Sequence, residues 1–375
     1  MLRIFVTGDN HIGLKYASHD KASVLASKRI AAFEGMVESA NQENCALFAI
    51  TGDLFENTYS VSKKEIKTLL DTLSHFKGTV VVLPGNHDYY DKDVKVWQYF
   101  KDVMDSYDNI MLLTEYRPYE ITADGEDVVL YPAHCTSLHS APGQNNLGWI
   151  KDAAIEDDGA YHIGIAHGAV EGETIDNEGR YFLMKRSELE SIPVDAWLIG
   201  HTHVPFPRNL TNTFSSTDKI FNAGTHVQTD VSCNTEGQCF VVEIDDNKNV
   251  RAKKVVSGNL RFYRKNIHLT AGEMESILSR ELADISDTSV VDVILTGAVS
   301  AAEYSDRDNI METVLSRFVE GTYNDYALSK LISKELIESE FPETSFSAGL
   351  LTSLLDNPKE AQLAYELLTS LKEGK

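Results

Sequence analysis

Cysteine is scarce in this 375-residue chain, and its four copies, Cys45, Cys135, Cys233 and Cys239, form neither a CxxC pair nor the dense framework of a small secreted domain. That argues against a disulfide scaffold and predicts four reduced, mostly packed cysteines. No stretch approaches the roughly 18 consecutive apolar residues of a membrane span. The opening MLRIFVTGD reads as a core strand with no long apolar segment or small-residue cleavage site, so no signal peptide is expected and the expected location is the cytoplasm. Basic residues are short as well: 34 Lys and Arg stand against 57 Asp and Glu, a net charge of −23. For a protein that handles polyanions this is a deficit, because phosphate contacts come mainly from Lys and Arg. Neither an internal repeat nor a low-complexity linker interrupts the chain. What remains is an ordinary globular composition, 42% hydrophobic and 24% charged. The length predicts two domains, on a prior of about 100 to 200 residues each.

The informative pattern is a repeated one. In VVVLPGNHDYY an apolar run, Val80 to Leu83, stops at Pro84-Gly85 and is followed at once by Asn86, His87 and Asp88. Taken alone, such a triplet is equally well turn chemistry. The same construction recurs, however: LRIFVTGDNH delivers Asp9 and His11, CALFAITGD delivers Asp53, YHIGIAHG ends in His167, and DAWLIGHTH ends in His201 and His203. Five apolar runs each present metal-ligand side chains at their carboxyl ends, where open α/β sheets place their sites. Carboxylate, amide oxygen and imidazole without thiolate suit manganese, iron or zinc. The donors are too many for one ion and about right for two, roughly 3.5 to 4 Å apart, sharing a carboxylate and a water or hydroxide and clamping a phosphoester. Gly8, Gly52, Gly85 and Gly200 beside them would let the backbone turn tightly or approach closely.

Asp9-x-His11, Gly52-Asp53, Gly85-Asn86-His87-Asp88, His167 and Gly200-His201-Thr202-His203, in this order over the first 205 residues or so, resemble the calcineurin-like metallophosphoesterases. The finer pattern, DNHIG, GDLF, PGNHD, GHTH, FNAGTHVQTD and CFVVEID, is most similar to the SbcD-type DNA repair exonucleases, including the YhaO-like branch. The resemblance implies two divalent ions, manganese first and iron or zinc as alternatives. One would be held by Asp9, His11 and His203 and the other by Asn86, His167 and His201, with Asp53 bridging. It implies that His87 assists the leaving oxygen. Three residues after Asp53 this chain has Glu56, where relatives carry His or Asp; Glu56 either orients His87 or is a solvated side chain. The implied fold is α/β: two face-to-face sheets flanked by helices, with a small α+β capping domain and C-terminal helices. Strand and helix patterns that alternate to about residue 200, then shorter β segments to about 257, agree with it. The expected boundaries are 1–258 for the nuclease domain, 259–342 for the cap and 343–375 for the terminal helices.

The implied activity is a two-metal phosphodiesterase, a DNA exonuclease or endonuclease subunit working with an SbcC-like coiled-coil ATPase, with a homodimer compatible. The alternatives are a freestanding phosphoesterase for nucleotides or small phosphoesters, and an inactive scaffold on the same fold. NLRFYRKNIH, residues 259 to 268, interleaves Arg and Lys with aromatics; it reads as an amphipathic strand, or as a surface that stacks on bases. The Leu stripes of the terminal helices, including Leu350, Leu351, Leu354 and Leu355, are intramolecular core or the ATPase's docking face. Among the remaining candidates, His134 is read as a loop contact or a packed side chain, His226 as a neighbour of the ligands, and Asp88 as the residue that fixes the turn.

Overall fold

In the computed structural model, which describes residues 1–372 apart from 175 and 234, the chain forms two compact units, Met1–Arg261 and Phe262–Lys375. The first contains, in chain order, β1 (Leu2–Thr7), α1 (Ala22–Gln42), β2 (Leu47–Ile50), α2 (Lys63–Leu73), β3 (Thr79–Val82), α3 (Lys95–Met104), β4 (Ile110–Leu112), β5 (Tyr119–Ala123), β6 (Glu126–Ala133) and α4 (Gly148–Lys151). It continues with β7 (Tyr161–His167), α5 (Arg186–Ser191), β8 (Ala196–Gly200), β9 (Ser215–Ser216), β10 (Ile220–Phe221), β11 (Gln238–Ile244) and β12 (Val250–Val256).

These strands make a seven-stranded sheet, β4-β3-β2-β1-β11-β12-β9, and a five-stranded sheet, β10-β8-β7-β6-β5. Strands β1 to β4 run parallel, as do β6, β7, β8 and β10; β11 and β5 pair antiparallel to their neighbours. Alternation along each strand divides its side chains between two faces. Leu2, Ile4 and Val6 of β1 join Leu130, Ile163, Ile165 and Leu198 of the other sheet in one buried cluster, so the sheets pack face to face. Phe5, Phe48 and Ile50 point the other way and are covered by Phe33, Met36, Leu69 and Leu70 of α1 and α2. On the outer face of the second sheet, Tyr131, Trp197 and Ile199 pack against Ile150 and Leu189 of α4 and α5. Helix α2 opens on a capping box in which Ser62 and Glu65 satisfy each other's backbone N–H, fixing where the chain re-enters after the β2 turn.

The second unit alternates β13 (Phe262–Thr270), α6 (Met274–Leu282), β14 (Val290–Val299), α7 (Ala301–Leu315) and β15 (Glu320–Lys330), with all three strands parallel in the order β13-β14-β15. It ends in α8 (Lys334–Glu340), α9 (Phe346–Ser353) and α10 (Pro358–Lys372). These three helices share an apolar cluster of Leu336, Ile337, Phe341, Ala348, Leu351 and Tyr365. The segment from residue 343 therefore packs on α8, and its last residues, 373–375, lie outside the described residues. Among the described residues, no helix is long and apolar enough to cross a membrane.

Candidate metal centre

The site is built where five strands end. Asp9 and His11 follow β1, Asp53 follows β2, Asn86, His87 and Asp88 follow β3, His167 closes β7, and His201 and His203 follow β8. Beyond the strands, backbone bonds carry the pairing on: Asp9 N–H donates to the Gly52 carbonyl (3.1 Å), His11 N–H to Asp53 (2.9 Å) and Glu56 N–H to Ile12 (2.9 Å). The turns are tight enough that Asp9, His11, Asp53, His201 and His203 all adopt positive φ, 48, 47, 49, 113 and 52°. Such conformations cost of order 1 to 3 kcal/mol each and persist only where the surroundings over-determine them. Gly52, at φ 102°, could carry no side chain, since a Cβ there would stand 2.1 Å from His167 Nδ1.

Donor groups result at Asp9, His11 and His203 and at Asp53, His167 and His201, each with ligand atoms within 4.8 Å of one another, and a third, His11, Glu56 and His87, shares His11 with the first. His11 Nε2 faces His203 Nε2 at 2.8 Å. Asn86 Oδ1 lies 3.0 Å from both His167 Nε2 and His201 Nδ1, and its amide orientation is set by Nδ2 donating to the Leu138 carbonyl (3.3 Å). Asp53 accepts the His87 backbone N–H on Oδ1 (2.8 Å) and turns Oδ2 between the groups, 3.3 Å from His167 Nε2 and 3.9 Å from His11 Nε2. Both Asp9 oxygens accept from the His201 N–H, at 2.8 and 3.0 Å.

The donor chemistry fits a cation. His167 Nδ1 lies 2.9 Å from the Thr51 carbonyl, which can only accept, so Nδ1 carries the proton and Nε2 of the neutral ring aims a lone pair at two further acceptors, Asn86 Oδ1 and Asp53 Oδ2. Without a cation that arrangement is repulsive, and the electrostatics report it. Burial disfavours a charged His167, yet the Asp53 and Asp9 carboxylates and the Thr51 carbonyl outweigh it and raise its pKa to about 9. Burial likewise opposes ionisation of Asp53, but His167, His11 and His87 hold it well below the usual carboxylate range. His201 is pushed down to about 4, by burial and then by the charge of His167, and His203 is lowered chiefly by burial, so both stand as neutral donors. A backbone carbonyl fixing one imidazole nitrogen while the other faces the ion is the usual outer support of a histidine ligand.

His87 sits beside this array with its ring edge-on to His11, centroids 4.9 Å apart. Its Nδ1 donates to the backbone carbonyl of Glu56 (3.0 Å). The Glu56 carboxylate does not hold His87; it lies 2.9 Å from His11 Nδ1. Neither sequence reading of Glu56, a carboxylate that orients His87 or a solvated side chain, describes it: the turn after β2 gives His87 the main-chain oxygen and sends the half-buried side chain to His11. Asp88 is fully buried and accepts from Gly85 N–H (2.6 Å) and Phe55 N–H (2.9 Å), which fastens the β3 turn to the β2 turn. Burial and the nearby Asp53 push its pKa up to about 7.

The remaining candidates lie apart from the donors. His134 is buried, stacked on Tyr116 with centroids 4.4 Å apart, and burial lowers its pKa to about 4. His226 is fully buried against Phe33, with Nε2 donating to the Arg29 carbonyl (2.9 Å). A cavity of about 730 Å³ opens on His11, His87 and His203; its walls include Tyr16, His19, Thr229, Asp230 and Ser232. Sequence reasoning missed these walls, and it missed Arg29 of α1, buried behind the turn that carries Asp9 and His11. A signal for Arg29 existed: it falls at helical spacing among Leu25, Ala32, Phe33 and Met36, on the face α1 buries.

Comparison with known proteins gives the family. The calcineurin-like phosphoesterase profile matches residues 2–205, more than half of the chain, and the chain belongs to that family. Its metal-dependent phosphoesterase chemistry matches the donor set described above. Among solved structures, a dimetal phosphatase from Danio rerio aligns over 68% of this chain and 98% of its own length, at 10% identity and a TM-score of 0.40. A second solved structure aligns over 67% and 98%, at 9% identity and a TM-score of 0.38.

Proposed function

We propose that the protein is a two-metal phosphodiesterase that cleaves DNA at or near ends, a nuclease subunit of DNA repair in the cytoplasm, with an SbcC-like coiled-coil ATPase supplying affinity for long DNA. The observation that carries the two-metal part is Asp53, whose Oδ2 faces both donor groups while Oδ1 is anchored by a backbone N–H. We assign Asp9, His11 and His203 to one ion, Asn86, His167 and His201 to the other, and Asp53 to both. Two such ions, manganese being the preferred pair, supply Lewis-acid neutralisation of the phosphate and a water of lowered pKa. The chain's own residues do the rest. His87, with Nδ1 committed to the Glu56 carbonyl, presents Nε2 as the group that donates to the leaving oxygen. DNA as substrate rests on the similarity of the finer pattern, DNHIG, GDLF, PGNHD, GHTH, FNAGTHVQTD and CFVVEID, to the SbcD type, and the ATPase on the terminal helices of the second unit.

A specific observation favours a second reading. Among the described residues lining the cavity there is neither Lys nor Arg, whereas Glu56 and Asp230 are there, which suits a small phosphoester better than a long polyanion. An inactive scaffold is the reading the complete donor set least supports. The deciding experiment is turnover with manganese on labelled DNA ends, hairpins and a small phosphodiester side by side, with and without chelator. Cleavage of DNA that chelator abolishes is the expected result. Activity on the small phosphodiester alone would replace the DNA reading with the second one, and inactivity on all three would leave the scaffold.

A further inference from the structure

Arg29 is 1% exposed, and a guanidinium taken out of water is costly unless its donors are satisfied. Its six hydrogen bonds all go to carbonyl and hydroxyl oxygens. They fall on two separate loops. On the turn after β1, Nε donates to the Asn10 carbonyl (2.6 Å), Nη2 to the Asp9 carbonyl (3.5 Å) and Nη1 to the Tyr16 hydroxyl (3.4 Å). On the loop before β11, Nη2 donates to Thr225 Oγ1 (2.9 Å) and Nη1 to the carbonyls of Val227 (3.0 Å) and Gln228 (3.3 Å).

The first loop carries Asp9 and His11 at positive φ and then Tyr16; the second runs on into Thr229 and Asp230 of the cavity wall. A planar fork with five N–H donors can span two loops in this way, whereas an ammonium is a single point charge on a flexible stem. The bond from the Arg29 carbonyl to His226 fastens the second loop to α1 once more.

We propose that Arg29 is a positioning residue: its guanidinium clamps the strained Asp9–His11 turn to the 225–228 loop, and so sets the affinity of the Asp9, His11 and His203 half of the centre for its ion. The inference rests on the dinuclear reading above. Supports that orient metal ligands are typically worth about 10- to 100-fold in metal affinity. Arg29 bonds directly to the main chain of one half only; Asn86 and His167 are held by Leu138 and Thr51, and the clamped turn reaches the other half only through the Asp9 carboxylate, which accepts the His201 N–H. The loss on removing Arg29 should therefore fall mainly on the Asp9, His11 and His203 ion.

The test is calorimetric titration of the full chain with manganese, comparing wild type, R29M, R29K and T225V, with H203A marking the step that belongs to this half. Wild type should show two ions. R29M should weaken the step marked by H203A about 10- to 100-fold and the other step by less. R29K should do nearly the same, because it restores charge but not the fork. T225V is close in shape and removes the Arg29 acceptor together with the Thr225 Oγ1 bond to the Val227 carbonyl; it should weaken the same step by a smaller factor, and wild-type affinity in it overturns the clamp if the Arg29 variants do not fold. Wild-type affinity in folded R29M, R29K or T225V, or equal weakening of both ions, would overturn the proposal. Fewer than two ions in wild type would instead overturn the dinuclear reading beneath it.

Discussion

Glu56→Gln separates what the Glu56 carboxylate does from what its main chain does. In the structure the Glu56 main chain serves His87 and its side chain serves His11. Burial opposes ionisation of this carboxyl, but its contact with His11 and the nearby charge of His87 hold it below its usual range, so it is ionised at neutral pH. An ionised carboxylate at 2.9 Å from Nδ1 makes His11 Nε2 a better donor toward an ion. Glutamine keeps the size and the backbone and removes the charge. Loss of such a support is worth about 10- to 100-fold in metal affinity, or about 1.4 to 2.7 kcal/mol. The expected result is a manganese titration shifted by that factor, with kcat at saturating manganese within about twofold of wild type, since the carbonyl that holds His87 is untouched. The assay is turnover of one phosphodiester across a manganese series, read as kcat and half-saturating metal separately. A tenfold or greater fall in kcat at saturation, with metal affinity unchanged, would refute this division of labour and return the carboxylate to His87.

His87→Ala should retain both ions in elemental analysis while losing roughly 100-fold in rate, the lower end of a positioned acid's contribution; loss of metal would show that His87 is a ligand. Burial lowers the pKa of His134 from 6.5 to about 4, so the folded state holds it neutral while the unfolded chain protonates it. Its contribution to stability is complete above pH 6.5 and is lost as pH falls toward 4, by up to about 3 kcal/mol. Denaturant unfolding of His134→Phe should therefore show a shallower loss of stability than wild type between pH 7 and 4.5, and parallel slopes would count against it. On α10, Leu363, Leu367 and Leu371 are 59, 57 and 74% exposed at four-residue spacing. Changing all three to Ser should leave metal-dependent activity intact and abolish co-purification with an SbcC-like ATPase, whose undiminished capture would refute docking there.

The centre was legible because its donors are fixed by strand ends, and a strand end is a local signal: an apolar run, a glycine, a polar side chain. Asp9, Asp53, Asn86, His167 and His201 each carry that signal within a few residues, and the two sheets bring the strand ends together. The face-to-face packing of the sheets came with the family resemblance and not with alternation, since β1 is apolar on both faces, Leu2, Ile4 and Val6 toward the other sheet and Phe5 toward α1 and α2. What the sequence hid are contacts that depend on how one turn lies against another. The residue type of Glu56 says that a carboxylate is present three positions after Asp53, but the turn decides that the carbonyl faces His87 and the side chain faces His11.

The terminal helices show the same limit from the other side. Leu350, Leu351, Leu354 and Leu355 read as intramolecular core or as a docking face, and the structure buries Leu351 fully against α8 and half-buries its three companions. Truncating near Glu343 would strip Ala348, Leu351 and Tyr365 from Leu336, Ile337 and Phe341, so loss of binding after truncation would not separate docking from lost packing. The exposed stripe lies one helix further on, along Leu363, Leu367 and Leu371, with Phe346 of α9 80% exposed as well. Helical periodicity identifies which leucines share a face but not which face the rest of the unit covers, because that depends on the angle at which α9 and α10 meet α8. Substitutions confined to the α10 leucines leave the α8 cluster intact, and a binding defect in those variants therefore reports the surface itself.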